Sequence, residues 1–411
     1  MLDRIDVHDL WGRKVRDAYF FRALTLACYF IETSGAEFFL SSESPHDFFA
    51  YVLWRACGVS GIPCIHFEAI SIAPAMVMVS SRGGTLNKIA RYPGCENEGF
   101  ENVLLSAENY CMRFSGAAKP GYMLRQEHKE KVHDKLYRRL RDKLLRIVPL
   151  ALAVTVLIRC REMLGVSVEM LSIFERRLKL WGRDKTTELK TAYLEKLKGE
   201  TYLNYVYFPL HYEPERTTSP DGGVYYDQAR AVLEIRSRLP PEVLLVVKEH
   251  PSQLYKNMRG YKGRSKLFYE LLGGVQGIRL ASLEIPSSEL IRDCLAVVTV
   301  TGTAALEASM LGKPSFVLGA AWFVGAPNVY AHSDVERFTE IVGSNSPSGV
   351  DELLTWLSSY LSTYAFFGCV NPSNEKVFAG CMEALAVQRP FALSRQIDLY
   401  FKEYFQRLAV E

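Results

Sequence analysis

Between residues 202 and 318 short apolar runs alternate with amphipathic stretches, and this rhythm limits the possible folds more than any other feature of the chain. "YLNYVYF", "VLLVV", "IRLAS", "LAVVTV" and "SFVL" have the length and composition of strands. Between them, "YDQARAVLEIRSRL" is a helix stopped by Pro240-Pro241, "SSELIRDC" a short one, and "TAALEASMLG" a third with a closing glycine. Strands alternating with helices build a doubly wound α/β domain, and ligands of such domains bind outside the carboxyl ends of the strands. The loops leaving the strands are therefore the place to look for function.

The first half carries the same signal more weakly. A helical pattern over about Arg16 to Glu32 is followed by the apolar run "AEFFL" and the polar loop "SSESPHD". Phe49, Val52, Leu53 and Ala56 then sit at helical spacing with Gly58 closing the helix, and "IPCIHF" follows as a strand. Strand, loop, helix, strand is the unit of a parallel sheet. Positions 125 to 200 read almost entirely as helix with breaks at Pro149 and Gly165, and Asp351 to Val410 reads as helix throughout. A chain of 411 residues, at roughly 100–200 residues per domain, then holds two units. The expected architecture is α/β, with two Rossmann-like domains facing a cleft. The first spans 1–198 with a helical insertion at about 120–198, the second spans 199–375, and helices at 376–411 cross back to the first.

Composition removes several classes of function. A net charge of +3 is too small to argue for nucleic acid. The nine cysteines are scattered, none forms Cys-x-x-Cys, and the count is odd, which points to reduced thiols in a cytosol rather than disulfides or a thiolate zinc site. The beginning, "MLDRIDVHDLWGRK", has no apolar signal core. One stretch raises the question of a membrane: Ile147 to Ile158 is 12 uncharged residues, short of the about 20 that span a bilayer. It is preceded, from Arg125 to Arg146, by nine Lys/Arg against four Asp/Glu. A buried helix with a solvated basic neighbour accounts for this, and so does a segment lying on an anionic leaflet.

Three strand-end loops carry chemistry. In "LLVVKEHPSQLY" the strand ends at Val246-Val247, which puts Lys248, Glu249 and His250 on the cleft edge, with Pro251 suited to open the next helix. A histidine there donates to a phosphate or exchanges a proton near neutral pH, though a lone histidine is also commonly just a satisfied polar residue. In "TVTGTAALEASMLGKP" the order strand, Thr301-Gly302-Thr303, helix combines close backbone approach, free N–H groups and two hydroxyls into an anion cradle. Glu307 follows four residues later on the same helix face, placed to accept hydrogen bonds from a ribose diol. The plainer reading is a capping threonine with an incidental glutamate. The third loop, "FPLHYEPERTTSPDGG", carries His211, Glu213, Glu215 and Arg216, whose carboxylates suit a base or nucleophile. In the first domain Glu43 and His46 lie at a matching strand end, beside Ser44 and Asp47, which helix capping explains equally well.

"KEHP", followed about 50 residues on by "TVTGTAALEASMLGKPSFVLG", resembles the bacterial capsule polysaccharide synthesis family, GT-B-type glycosyltransferases that include the retaining Kdo transferases. "PLHYEPERTTSPDGG" with "YYDQ" looks like part of the same group, and the resemblance covers about Tyr202 to Val329. It implies a CMP-activated 2-keto sugar acid as donor, no cofactor and no metal, and a glycan or glycolipid acceptor. It implies that His250, Thr301 and Thr303 contact the donor phosphate and Glu307 its ribose, with Gly302 standing where relatives often have serine. It implies an acidic nucleophile in the loop after the first strand of the second domain. Glu215 is the nearest match and Glu213 the second, where the relatives carry aspartate. Glu43 or His46, across the cleft, would handle the acceptor proton. The expected protein is thus a cytoplasmic transferase, and the helices 125–200 leave open either contact with the inner membrane surface or a buried helix with a solvated basic neighbour. The rival readings are a UDP-sugar epimerase or CDP-polyol phosphotransferase on the same frame, and a non-catalytic membrane-associated assembly protein.

Overall fold

The computed structural model describes residues 12–82, 85–90, 100–114, 127–132, 185–197, 201–213, 218–256, 260–344 and 349–367, with isolated positions at 258, 399 and 402. The chain opens with helix α1 (Arg13–Ser34), which ends where Gly35 takes a left-handed conformation, φ 63°. Strand β1 (Phe39–Ser41), helix α2 (Phe48–Val59) and strand β2 (Cys64–Ile70) follow, with the Asp47 carboxylate capping α2 through the amides of Phe49 and Ala50. Strands β1 and β2 pair in parallel, Phe39 opposite Cys64, as a strand–helix–strand unit must.

Beyond β2 the first sheet departs from a Rossmann-like order. β3 (Ala75–Arg82) runs antiparallel to β2, β4 (Thr85–Lys88) antiparallel to β3, and the sheet is mixed. The cause is the connection: only residues 71–74 separate β2 from β3, and a parallel return needs a crossover of about a dozen residues or more. Helix α3 (Phe100–Phe114) lies beyond this hairpin, and of the expected helical insertion the residues 127–132 and helix α4 (Lys185–Leu194) are described.

The second unit follows the expected rhythm closely. In order come β5 (Tyr205–Pro209), α5 (Gln228–Arg238), β6 (Leu244–Lys248), α6 (Lys266–Gly274), β7 (Ile278–Leu280), α7 (Ser287–Asp293), β8 (Ala296–Thr299), α8 (Ala304–Met310), β9 (Ser315–Val317) and β10 (Val329–Ala331). They form a six-stranded all-parallel sheet in the order β10-β9-β8-β5-β6-β7. Both faces are covered, which is why its strands are apolar throughout. Val206 and Phe208 of β5 join the core beneath α5, whereas Tyr205 and Tyr207 join the core beneath α7.

Helix α9 (Phe338–Ser344) and helix α10 (Val350–Tyr364) complete the described chain, and then the tail turns from helix to strand. β11 (Ala365–Phe367) adds antiparallel to β3 of the first sheet. The expectation of unbroken helix from 351 to 410 therefore fails at "AFF", where an open edge beside β3 offers backbone partners. The return to the first unit is made at 350–367; residues 376–411 lie outside the described ones apart from 399 and 402. One apolar core joins the two units, running from Val77 and Val79 through Leu306, Trp322 and Phe323 to Leu353 and Leu357.

Candidate functional site

The strand order reverses between β5 and β8: the chain leaves β5 towards β6 and β7, then crosses to build β8, β9 and β10 on the other side. Such a switch point leaves a crevice at the carboxyl ends of the two central strands. Here the crevice is lined by the loops that follow β5, β6 and β8.

Leaving β5, His211 leans across the switch point. Its Nε2 accepts a hydrogen bond from the Thr301 amide at 3.2 Å and lies 3.2 Å from the Thr299 hydroxyl, which in turn accepts from the Gly302 amide at 3.1 Å. An Nε2 that accepts is unprotonated, so the ring proton of neutral His211 resides on Nδ1. A Cβ on Gly302 would stand 2.7 Å from Thr299 Oγ1 and 3.3 Å from His211 Cε1, so a larger residue at 302 would displace the Thr299 hydroxyl and crowd the imidazole. The amide cradle expected at Thr301–Thr303 is thus partly occupied by protein. Thr301 is buried, Thr303 precedes α8 without capping it through its side chain, and α8 is only 7 residues long.

At the end of β6, Lys-Glu-His-Pro resolves into separate roles. Lys248 is buried and directs Nζ at the Ile285 carbonyl, with the Ser287 hydroxyl at 3.4 Å, so it ties down the loop before α7. Glu249 is the hub of a buried network. Its Oε2 accepts from Arg264 Nε at 3.0 Å and from the Tyr269 hydroxyl at 2.6 Å, its Oε1 accepts from the His250 amide at 2.8 Å, and its own amide donates to the Tyr193 hydroxyl at 3.1 Å. Arg264 also donates to the His211 carbonyl at 2.9 Å. One buried ion pair therefore braces the backbones of both histidines.

His250 caps the 3₁₀ turn Pro251–Leu254, its Nδ1 accepting from the Ser252 amide at 3.2 Å, and Pro251 takes the first position of that turn. The proton of neutral His250 consequently sits on Nε2. The neighbouring Tyr212 ring meets the His250 ring edge-on with centroids 6.3 Å apart. Burial, and then His250 and the Arg264 cation, push the His211 imidazole down to about 3. Burial, then Arg264 and Lys248, push His250 down to about 4. Both rings are neutral at physiological pH, so a proton exchange near neutrality by His250 is not what this environment supports.

Glu307, on α8, is half-buried with no protein donor to its carboxylate among the described residues, and burial alone pushes it up to about 7. Glu213 has a different setting. It is buried, its carboxylate accepts from Gln228 Nε2 at 2.8 Å, and its amide donates to Gln253 Oε1 at 2.7 Å. Glu215 lies outside the described residues. Across from this loop the first unit brings Ser44, whose hydroxyl donates to the Asp221 carboxylate. Glu43 and His46 flank that contact 3.7 Å from each other, each about one-third exposed. The loop "SSESPHD" and the loop after β5 thus do meet, as two facing strand ends should. Glu249, Arg264, Gln228, Gln253 and Tyr193 went unassigned from sequence. Their partners are 15 to 56 residues away, and no local pattern marks them. Among the described residues no group of three or more His, Cys, Asp or Glu could hold a metal ion.

Residues 184–328, which hold all three of these loops, match the family model described as capsule polysaccharide biosynthesis protein. Among curated proteins nothing matches the chain. Among solved structures the chain is similar to the KpsC beta Kdo 2,7 transferase of Thermosulfurimonas dismutans at 14% identity, over 78% of this chain and 77% of that one, with a TM-score of 0.31. Its beta Kdo 2,4 transferase is similar at 14% identity, over 78% and 85%, with a TM-score of 0.28. A UDP-GlcNAc 2-epimerase from Neisseria meningitidis is similar at 13% identity, over 84% and 81%, with a TM-score of 0.27. At these scores the structural likenesses carry no weight for activity.

Proposed function

From this family match over 184–328 and the geometry at the switch point, we propose that the protein is a glycosyltransferase of bacterial surface polysaccharide synthesis. It moves a sugar, a Kdo-like 2-keto acid, from a CMP-linked donor to a glycan or glycolipid acceptor. The observation that supports this reading is the meeting of the loops after β5 and β8 at the His211–Thr301 contact, with the end of β6 tied to the same loop through the Glu249–Arg264 pair. Glu307 is the ribose contact: a half-buried carboxyl without a hydrogen-bond donor among the described residues gains most from two hydroxyl donors. Since the Thr301 and Gly302 amides are engaged by His211 and Thr299, the departing phosphate is left to His250 and to the Thr303 amide and hydroxyl, donors that would stabilise developing negative charge. Of the two acidic candidates for the anomeric carbon, Glu213 is held as a brace, which leaves Glu215 for that role. Glu43 and His46 serve the acceptor side, beside the Ser44–Asp221 contact.

The basic stretch 125–146 and the apolar stretch 147–158 supply contact with the inner membrane surface. Among the described residues no helix is long and apolar enough to cross a membrane. The test is transfer activity with a thermal-shift panel of CMP, CDP, UDP and GDP. CMP should raise the melting temperature by several degrees at saturating concentration. His250→Ala should cut transfer by about 10²-fold or more while leaving the ligand-free melting temperature within a few degrees of wild type. A panel without any shift, or a near-normal His250→Ala enzyme, would refute the assignment.

A further inference from the structure

We infer that Ser44 is a positioning residue of the crevice: acting through Asp221, its hydroxyl lets the first unit fix the Thr301–Gly302 turn of the second. The donor is held from its own side. Ser41 donates to the Glu43 carbonyl at 2.7 Å, His46 Nδ1 lies 3.0 Å from the Ser44 carbonyl, and Asp47 caps α2. The loop between β1 and α2 is therefore braced along its length, and Ser44 is only 3% exposed. Its hydroxyl donates to the Asp221 carboxylate, 177 residues away in the chain. A hydrogen bond to an ionised acceptor is roughly twice as strong as a neutral one.

The acceptor belongs to a tight turn. The Gly222 amide donates to the Thr218 carbonyl at 3.1 Å and the Gly223 amide to the Pro220 carbonyl at 2.9 Å. That turn rests on the exits of β8 and β9 at two glycines. A Cβ on Gly222 would stand 2.8 Å from Val300 Cγ1. A Cβ on Gly319 would stand 2.7 Å from the Asp221 carbonyl oxygen, 2.9 Å from Gly222 Cα and 2.8 Å from Thr301 Cγ2. The Asp221 carbonyl accepts from the Ala320 amide at 2.8 Å, and the Gly319 amide donates to the Val300 carbonyl at 2.8 Å. Backbone thus meets backbone across the glycines, with no long side chain between to absorb a displacement. From Ser44 the path runs through one side-chain hydrogen bond, the Asp221 turn, and Gly319–Ala320 packed between that turn and Thr301. Thr301 is the residue whose amide donates to His211, and Gly302 beside it donates to Thr299. Releasing Asp221 from Ser44 should therefore loosen these two amides in the other unit. The path is a property of the ligand-free chain, so the inference goes beyond the transferase reading and does not rest on it.

The experiment is backbone hydrogen exchange of the full, ligand-free chain in wild type, Ser44→Ala, Asp221→Asn and the double variant. Ser44→Ala should speed exchange at the Thr301, Gly302 and Ala320 amides by at least about 10-fold, while amides inside β5 and β6 change less than about 2-fold. Asp221→Asn keeps the size of the side chain and removes its charge, and should speed the same amides by about 3-fold or more. The double variant should exchange no more than about 2-fold faster than Ser44→Ala, because both changes break one path. Acceleration confined to 41–47 and 218–223, acceleration spread evenly over the sheet, or effects that multiply in the double variant would overturn the inference. If Ser44→Ala fails to fold, Asp221→Asn decides alone, and unchanged Thr301 and Gly302 amides in that variant overturn it. No nucleotide enters these measurements, so a chain that binds no CMP discards the transferase and leaves the exchange result standing.

Discussion

At the scale of single residues, three titratable groups in one crevice pull stability in opposite directions. His211 and His250 are held at about 3 and about 4, below the ordinary histidine value of 6.5, so between those values the unfolded chain binds protons that the folded one refuses. Their contribution is complete above pH 6.5 and is lost as pH falls towards 4, each at up to about 1.4 kcal/mol per pH unit. Urea unfolding of His211→Asn should show a shallower loss over that window than wild type, and an unchanged slope would contradict the assigned environment. Glu307 has the reverse sign. With its folded value raised to about 7, its cost is absent below the ordinary value of 4.5 and grows as pH rises through 7. Glu307→Gln should match wild type at pH 4 and exceed it by about 1–3 kcal/mol at pH 8, while losing affinity for a nucleotide donor. Gly302→Ser should fail for a steric reason, the added Cβ lying 2.7 Å from Thr299 Oγ1, and should cost about 1–3 kcal/mol in denaturant unfolding.

At the scale of elements, legibility followed the source of each element's stability. The strands and helices of the second unit were readable because each buries an apolar face of its own period, as with Val206 and Phe208 on one side of β5 and Tyr205 and Tyr207 on the other. β3 and β4 went unread: "AMVMVSS" is a short apolar run whose strand character depends on neighbours across the sheet. The 3-residue strands β10 and β11 are too short to show any period. In the site, the positions of His250 and Thr301 at strand ends, and of Glu307 on the helix that follows, were legible. The Glu249–Arg264 brace was not, since Arg264 sits in an irregular loop and its charge says nothing about burial. That brace makes a sharp prediction. Arg264→Ala leaves a buried, unpaired carboxylate and should cost about 3–5 kcal/mol, whereas Glu249→Gln with Arg264→Met should recover much of the loss. Chemical denaturation of the single and double variants decides it, and additive losses would contradict the pairing.

At the scale of the molecule, the two sheets are not free bodies on a linker. Val77 and Val79 of the first sheet share a core with Leu306 and Trp322 of the second unit and with Leu357 of α10. Lys88 Nζ donates to the Trp322 carbonyl at 2.6 Å. The facing of two α/β units was legible in the sequence, but these contacts, up to 234 residues apart, were not. A core shared this way predicts one calorimetric transition for the chain. Leu357→Ala should lower its midpoint, at a cost of about 2–5 kcal/mol, without splitting it in two. Within this frame the crevice at the switch point is where ligand recognition is expected. Titration calorimetry of CMP against cytidine, on wild type and His250→Ala, tests that claim most directly. The account predicts that CMP binds wild type at least about 10-fold more tightly than cytidine, and that His250→Ala removes this difference while sparing cytidine. Equal affinities for CMP and cytidine in the wild-type protein, or a difference that survives in His250→Ala, would contradict it.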